Sequence, residues 1–500
     1  MSIKRNILAN YIGQVYATLI AILLIPFYVQ YMGAEAYGLV GFYAMLQGWF
    51  ALLDMGLTPT MGRETARFNG GAIDALSLRQ LLRSLEGIFL VVALLGAVVM
   101  MASAGFIAER WLKVQQLSLD EVQRAIALMA AIVALRWICG LYRGAINGFE
   151  KIVWLSGFNV VIATLRFALV IPVLIVFGAT PTTFFRYQLV VAAIEIIVLV
   201  LKTYQLMPLT GSKRWTRWAW RPVRGVLKFA LTIAFTGAIW VIVTQTDKLM
   251  LSGLIPLTDY AYFTLAVLVA GGITLLSGPV GGAIVPRLTR LNAQGDEASL
   301  VRLYRNSTQM VAVIAVPIVL MLSIFSEQVL WAWTGNSEVA RKAAPVLALY
   351  AVGNGILALA AFPYYLQLAK GEMRLHLIGN VLFVVLFIPL LIPAVRWYGM
   401  AGAGYAWIVA NLLPFLLWLP VVHGRYLKGL HLQWVLRDIL SIVALPTMAA
   451  WVAVSLIEWP KAELLVATVL IAVYGSLFAL ATASSSTFRS WFVDRRRAST

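Results

Sequence analysis

Fourteen blocks of about twenty apolar residues run through this chain, and a helix needs roughly that length to cross a lipid hydrocarbon core. They occupy residues 8–30, 37–60, 84–108, 123–144, 154–177, 181–204, 226–250, 258–285, 305–326, 343–366, 374–395, 399–422, 437–457 and 462–483. Only helices and closed barrels satisfy their backbone polar groups in lipid. The blocks predict an all-α polytopic membrane protein with fourteen spans. Composition agrees: charged residues are 12% of the 500, about half the usual share for soluble domains.

The positions of the charges set an orientation. With the N-terminus inside, the inner connections are 61–83, 143–153, 202–228, 286–305, 367–374, 423–437 and the C-terminal tail. Together with the N-terminus they carry 28 of the 39 Lys and Arg residues, and the outer connections carry 8. Cytoplasmic loops hold the Lys/Arg excess, so both termini are expected in the cytoplasm. The net charge of +18 is then a topology signal, and nucleic acid is not expected as a partner. The first apolar block is too long for a signal-peptide core. The segment KRWTRWAWRPVR (213–224) reads as a basic, Trp-rich anchor in the inner headgroup layer, and FVDRRR near the end as another.

The chain also repeats itself. RFNGGAIDALSLRQLLR (67–83) and RLNAQGDEASLVRLYR (290–305) share an outline, with Arg67 matching Arg290, Asn69 matching Asn292 and Arg79 matching Arg302. The same offset pairs Tyr37 with Tyr260, Tyr142 with Tyr365, Gly148 with Gly371 and Lys151 with Arg374. The agreement in topological position predicts two related six-span halves, arranged as parallel repeats. Two interruptions align as well: DMGLTPTMG (54–62) ends span 2 and SGPVGGAIVP (277–286) ends span 8. Gly and Pro there predict kinks or a ligand site. The domain reading is 1–204 for the first lobe, 205–225 for the linker, 226–422 for the second lobe, 423–483 for spans 13 and 14, and 484–500 for the tail.

Three segments carry a family resemblance: IPFYVQYMGAEAYGLVGFY (25–43), LLDMGLTPTMGRETARFN (52–69) and TQTDKLMLSGLIPLTDYAYFTLA (244–266). They resemble the bacterial polysaccharide-transport flippases of the multidrug/oligosaccharidyl-lipid/polysaccharide (MOP) exporter superfamily. The resemblance implies a V-shaped pair of six-helix lobes, plus two C-terminal helices, alternating between inward-open and outward-open forms. It implies translocation of an oligosaccharide linked to undecaprenyl diphosphate, in the bacterial cytoplasmic (inner) membrane. The implied partners are that lipid-linked substrate, membrane lipids, H+ or Na+ as a coupling ion, and polysaccharide polymerase machinery. Two rivals share the architecture: a cation-coupled multidrug or small-molecule exporter, and a lipid-linked peptidoglycan precursor flippase. The extra pair of spans favours the polysaccharide branch.

Charges inside spans are costly and face a cavity or a partner. Here they fall in the first lobe: Arg136 in span 4, Arg166 in span 5, Arg186 and Glu195 in span 6. The helical rise places three of them near the membrane middle and Arg186 nearer the outer end, at ~8 Å depth. Arginine clamps phosphate oxygens bidentately and stays charged, so these four are the candidate substrate-binding residues. A structural Arg136–Glu195 or Arg166–Glu195 pair is the competing reading, since a buried carboxylate needs a partner. Glu195 could also bind a proton or cation. Asp54, Arg63 and Asp247 are candidates for gating or ion coupling, and Asp247 beside Lys248 also reads as a lobe-contact pair.

Catalysis is not expected. The chain shows no nucleotide-binding loop, metal constellation or paired-carboxylate motif, and no outer connection is long enough for a domain. Cys139 stands alone, so no intramolecular disulfide, metal or cofactor is implied. His376, His423 and His431 read as interfacial, and Ser118 with Glu121 as a capping box.

Overall fold

The computed structural model describes residues 3–208 and 220–489. Among them the chain is helical throughout, with a lone bridge between Lys113 and Pro256 as its nearest approach to a strand. Most of the basic linker (209–219) and of the tail (490–500) lies outside the described residues. The helix of the seventh span has already begun at Trp220 and runs to Leu254.

Among the described residues thirteen helices are long and apolar enough to cross a membrane. The difference from fourteen lies in the 53-residue stretch Arg374–Tyr426. Gly399 there adopts φ 58°, ψ −142°, a region essentially reserved for glycine. The Trp418 indole N–H donates to the Leu375 carbonyl at 3.1 Å, across 43 residues. A straight helix would hold those groups ~65 Å apart. The chain therefore folds back at Gly399, and spans 11 and 12 form an antiparallel hairpin, which gives fourteen crossings. Phe383 and Phe387 on one arm meet Trp407 on the other at 5.6 and 5.5 Å. The turn is tight: a Cβ on Gly402 would lie 2.0 Å from the Ala394 carbonyl oxygen. Gly402→Ala is expected to cost about 1–3 kcal/mol, the usual effect of overpacking, read as a lower unfolding midpoint in detergent. An unchanged midpoint would show that the hairpin tolerates spreading.

The internal repeat is a repeat of structure. Helix Ala34–Phe50 leads through a 3₁₀ turn at Ala51–Asp54 into helix Leu57–Asn69, then into helix Ala75–Ala102, capped by Asp74 on the Ser77 N–H. Later in the chain, Leu257–Gly271 leads through a 3₁₀ turn at Gly272–Leu276 into Ser277–Ala293, then into Glu297–Ile324, capped by Asp296 on the Ser299 N–H. The capping aspartates are 222 residues apart, because the second connection is one residue shorter. The Arg79–Arg302 match is thus one position out of structural register. The first interruption falls where expected, with Met55 and Gly56 both left-handed. The second lies earlier than expected, at Gly272–Leu276, and SGPVGGAIVP is helical. Its Pro286 carries no N–H, yet the Ser277–Ala293 helix continues through it.

The chain divides into two compact units, Met1–Ala261 and Tyr262–Thr500. In the first, spans 3, 4 and 6 share a core around Phe89 and Trp137, stacked at 4.3 Å. Gly144 and Gly148 let span 4 approach helix Leu57–Asn69 closely. A Cβ on either would lie within 2.4 Å of the Thr58 or Gly62 carbonyl oxygen. Small residues at such spacing are the usual means of close packing in lipid. In the second unit, Tyr304, Phe362, Phe415 and Trp434 join spans 9, 10, 12 and 13 in one core.

Candidate functional site

The charged side chains inside the first unit meet where spans 4, 5 and 6 pack. Arg136 and Arg143 are seven residues apart on span 4, hence on one face. Gln188 and Glu195 are likewise seven apart on span 6. The two faces oppose. Arg143 Nη2 donates to Glu195 Oε1 at 2.6 Å, and its Nη1 donates to Asn159 Oδ1 of span 5. Arg136 Nη2 donates to Gln188 Oε1 at 3.2 Å, while its Nε stands 3.9 Å from Glu195 Oε2. Glu195 is thus held chiefly by Arg143, and Arg136 is the more distant partner.

Arg166 enters from a π-helical turn, Thr164–Ala168, in span 5. Such turns occur often at functional sites and release carbonyls from the helical ladder. Here side chains take them up. Tyr187 donates to the Leu165 carbonyl at 2.8 Å, Gln188 to the Arg166 carbonyl at 2.8 Å and Tyr28 to the Phe167 carbonyl at 2.5 Å. The bulge is therefore pinned on three sides, and Arg166 lies within electrostatic reach of Arg136, Arg143 and Glu195. No ion pair holds Arg166 among the described residues. Its guanidinium carbon lies 5.1 Å from the Phe167 ring centroid.

Three guanidiniums surround one carboxylate, so the cluster carries a surplus of two positive charges. Side chains of Arg136 and Glu195 are only 8% and 5% exposed. Arg136 Nε and Nη1, Arg166 Nε and Glu195 Oε2 are buried without a hydrogen-bond partner in the protein. Burying donors unpaired is expensive, and the Arg136 and Arg166 donors lie within electrostatic reach of one another. The arrangement can accept an anion with several oxygen atoms.

The other candidates lie elsewhere. Arg186 is exposed, outside the hydrogen-bonded cluster. Asp54 accepts from the Thr58 N–H at 3.2 Å and from its hydroxyl at 2.5 Å, which ties the first interruption together. Arg63 stacks on Phe229 at 4.3 Å and reaches Glu64 at 3.4 Å. Asp247 is buried beside Lys248 Nζ at 3.2 Å. Within the capping box, Ser118 accepts from the Glu121 N–H, but the Glu121 carboxylate caps span 6 instead, accepting from the Thr182 N–H at 2.8 Å. Arg143 was assigned by sequence to an inner loop. The structure places it inside span 4, and its seven-residue spacing from Arg136 was the available signal. His423 is buried within the protein, hydrogen-bonded to Tyr304 at 2.8 Å and to His431 at 2.9 Å.

The structure resembles lipid II flippase MurJ in an inward closed conformation, with a TM-score of 0.71 at 13% identity, over 96% of this chain and 98% of that one. It also resembles an inward-facing MATE family multidrug resistance transporter of the MOP superfamily, with a TM-score of 0.63 at 15% identity, over 81% and 95% of the two chains. At these identities the likeness is one of fold. In sequence, the chain is 22% identical over 419 residues to the "Putative O-antigen transporter" of Shigella flexneri, spanning 83% of this chain and 97% of that protein. A family model described as "Polysaccharide biosynthesis protein" matches residues 3–292, more than half of the chain. This multi-pass membrane chain therefore belongs to the polysaccharide biosynthesis protein family.

Proposed function

We propose that the protein is a flippase that moves a lipid-linked oligosaccharide, carried on undecaprenyl diphosphate, from the cytoplasmic to the outer leaflet for surface polysaccharide assembly. The observation that carries this reading is the positive surplus at mid-depth between spans 4, 5 and 6. A diphosphate or an acidic sugar supplies the charge that the unpaired Arg136 and Arg166 donors lack. Glu195 keeps Arg143 in place and so preserves the geometry around them. The sugars cross within the protein and the lipid tail stays in the bilayer while the lobes alternate in access. The protein sits in the bacterial inner membrane with both termini in the cytoplasm. A cation-coupled exporter fits less well, because three guanidiniums around the one carboxylate repel a cation there.

The test is the sidedness of lipid-linked oligosaccharide in cells with and without the protein, with terminal reporter fusions fixing its orientation. Build-up on the cytoplasmic face, relieved by re-expression, is the expected result. Unchanged sidedness for every detectable carrier lipid, at normal expression, would move the assignment to small-molecule export.

A further inference from the structure

A second polar site lies in the Tyr262–Thr500 unit. Where the end of span 14 meets the start of span 9 there is a cleft of about 330 Å³ lined by Val301, Arg302, Arg305, Asn306, Gln309 and Ser486. Its floor is fixed. Asp438 is fully buried and receives Arg305 through Nε at 2.7 Å and Nη2 at 3.0 Å, and the Gln309 amide at 2.7 Å. The Gln309 carbonyl oxygen accepts from the Ser485 hydroxyl at 2.7 Å and the Thr487 N–H at 3.1 Å. Asn306 Oδ1 accepts from the Thr487 hydroxyl at 3.1 Å.

Among the described residues these bonds engage the acceptors of Asp438, Gln309 and Asn306 and leave donors. Arg305 has given two of its guanidinium nitrogens to Asp438, and its Nη1 remains. The Asn306 amide N–H₂ remains, and Arg302, one turn earlier on the same face, is exposed. Of the neighbouring carboxylates, Asp438 is engaged as above and Asp296 accepts from the Ser299 N–H at 3.0 Å, while Glu297, beside Ala298 of the lining, is exposed. Phosphate oxygens match such a set of convergent donors.

Depth selects the source of the phosphate. The apolar block of span 9 begins at Arg305 and that of span 14 ends at residue 483, so the cleft sits at the border of the hydrocarbon. Met310, one turn deeper than Asn306 on the same face, is 46% exposed. The polar cleft therefore has an exposed apolar side chain on its deep side, where the chain of a bound lipid would begin. Basic pockets between spans on this kind of face suit anionic headgroups. We propose that this cleft binds the phosphodiester headgroup of an anionic phospholipid and so braces the two C-terminal spans against span 9.

The experiment uses the full-length protein, delipidated in detergent and titrated separately with phosphatidylglycerol, phosphatidylethanolamine and inorganic phosphate, with thermal unfolding as the readout. The expected result is saturable stabilisation by phosphatidylglycerol, weakened about tenfold in Arg302→Gln, the loss of one charge-assisted hydrogen bond. Arg302 is exposed, so the variant without lipid should melt with the wild type. Asn306→Ala should weaken binding in the same direction. Equal stabilisation by phosphatidylethanolamine, or binding indifferent to Arg302→Gln, would overturn the site. Inorganic phosphate acting as well as the lipid would overturn the lipid assignment.

Discussion

Replacing Glu195 by glutamine is expected to lower stability by about 3 kcal/mol, the low end for breaking a buried ion pair by removing one partner. Among the described residues the carboxylate is the only negative side chain in contact with Arg136 and Arg143, and its loss leaves the buried guanidiniums without that counter-charge. The low end applies because the Arg143 side chain is 28% exposed and solvent screens part of the effect. Arg143→Gln alone should cost about 1 kcal/mol, since Arg136 remains near Glu195. The double variant should lose less than the sum of the two, as interacting neighbours do. Unfolding in mixed micelles measures all three. Wild-type stability in Glu195→Gln would mean that the carboxylate does not anchor the cluster.

Arg166→Ala has the opposite signature. Its guanidinium makes no ion pair among the described residues and buries an unsatisfied Nε, so its removal should leave stability unchanged or slightly higher. Flipping should fall about ten- to a hundredfold, the worth of one charge-assisted contact to phosphate. Arg136→Ala should reduce flipping similarly but also cost about 1 kcal/mol, because it abandons Gln188. Arg166→Lys should recover part of the rate, since it keeps the charge and loses the planar fork. The measurement is translocation of lipid-linked oligosaccharide at matched protein abundance. Wild-type rates in both alanine variants would remove these arginines from the substrate path. A loss of stability in Arg166→Ala would recast that residue as a counter-ion to Glu195.

The span pattern was readable because lipid imposes one rule on every residue it touches: the backbone must be satisfied within the segment. Apolar blocks of fixed length are the direct imprint of that rule. The fold-back at Gly399 was readable too, as the short connection between the blocks at 374–395 and 399–422. The charged residues at mid-depth were conspicuous for the same reason, since an arginine in such a block is costly wherever it points.

Pairing was not readable in that way. Arg143 lies near the end of its apolar block, where a basic residue is ordinary, and only the facing Glu195 on span 6 gives it meaning. Gln188 is uncharged and unremarkable in sequence, yet it bridges Arg136 to the Arg166 carbonyl. The π-turn that presents Arg166 has no composition of its own. It depends on Tyr28, Tyr187 and Gln188 arriving from other helices to take its carbonyls. Asp438 sits at the edge of its block and pairs with Arg305, 133 residues away. The sequence by itself determined the helices, their number, the outline of the repeat and most of the places where charge enters the membrane, because those follow from local chemistry against a uniform solvent. Which charge meets which was decided only by tertiary structure, because a buried ion needs a partner in space and the chain does not record spatial neighbours in its order.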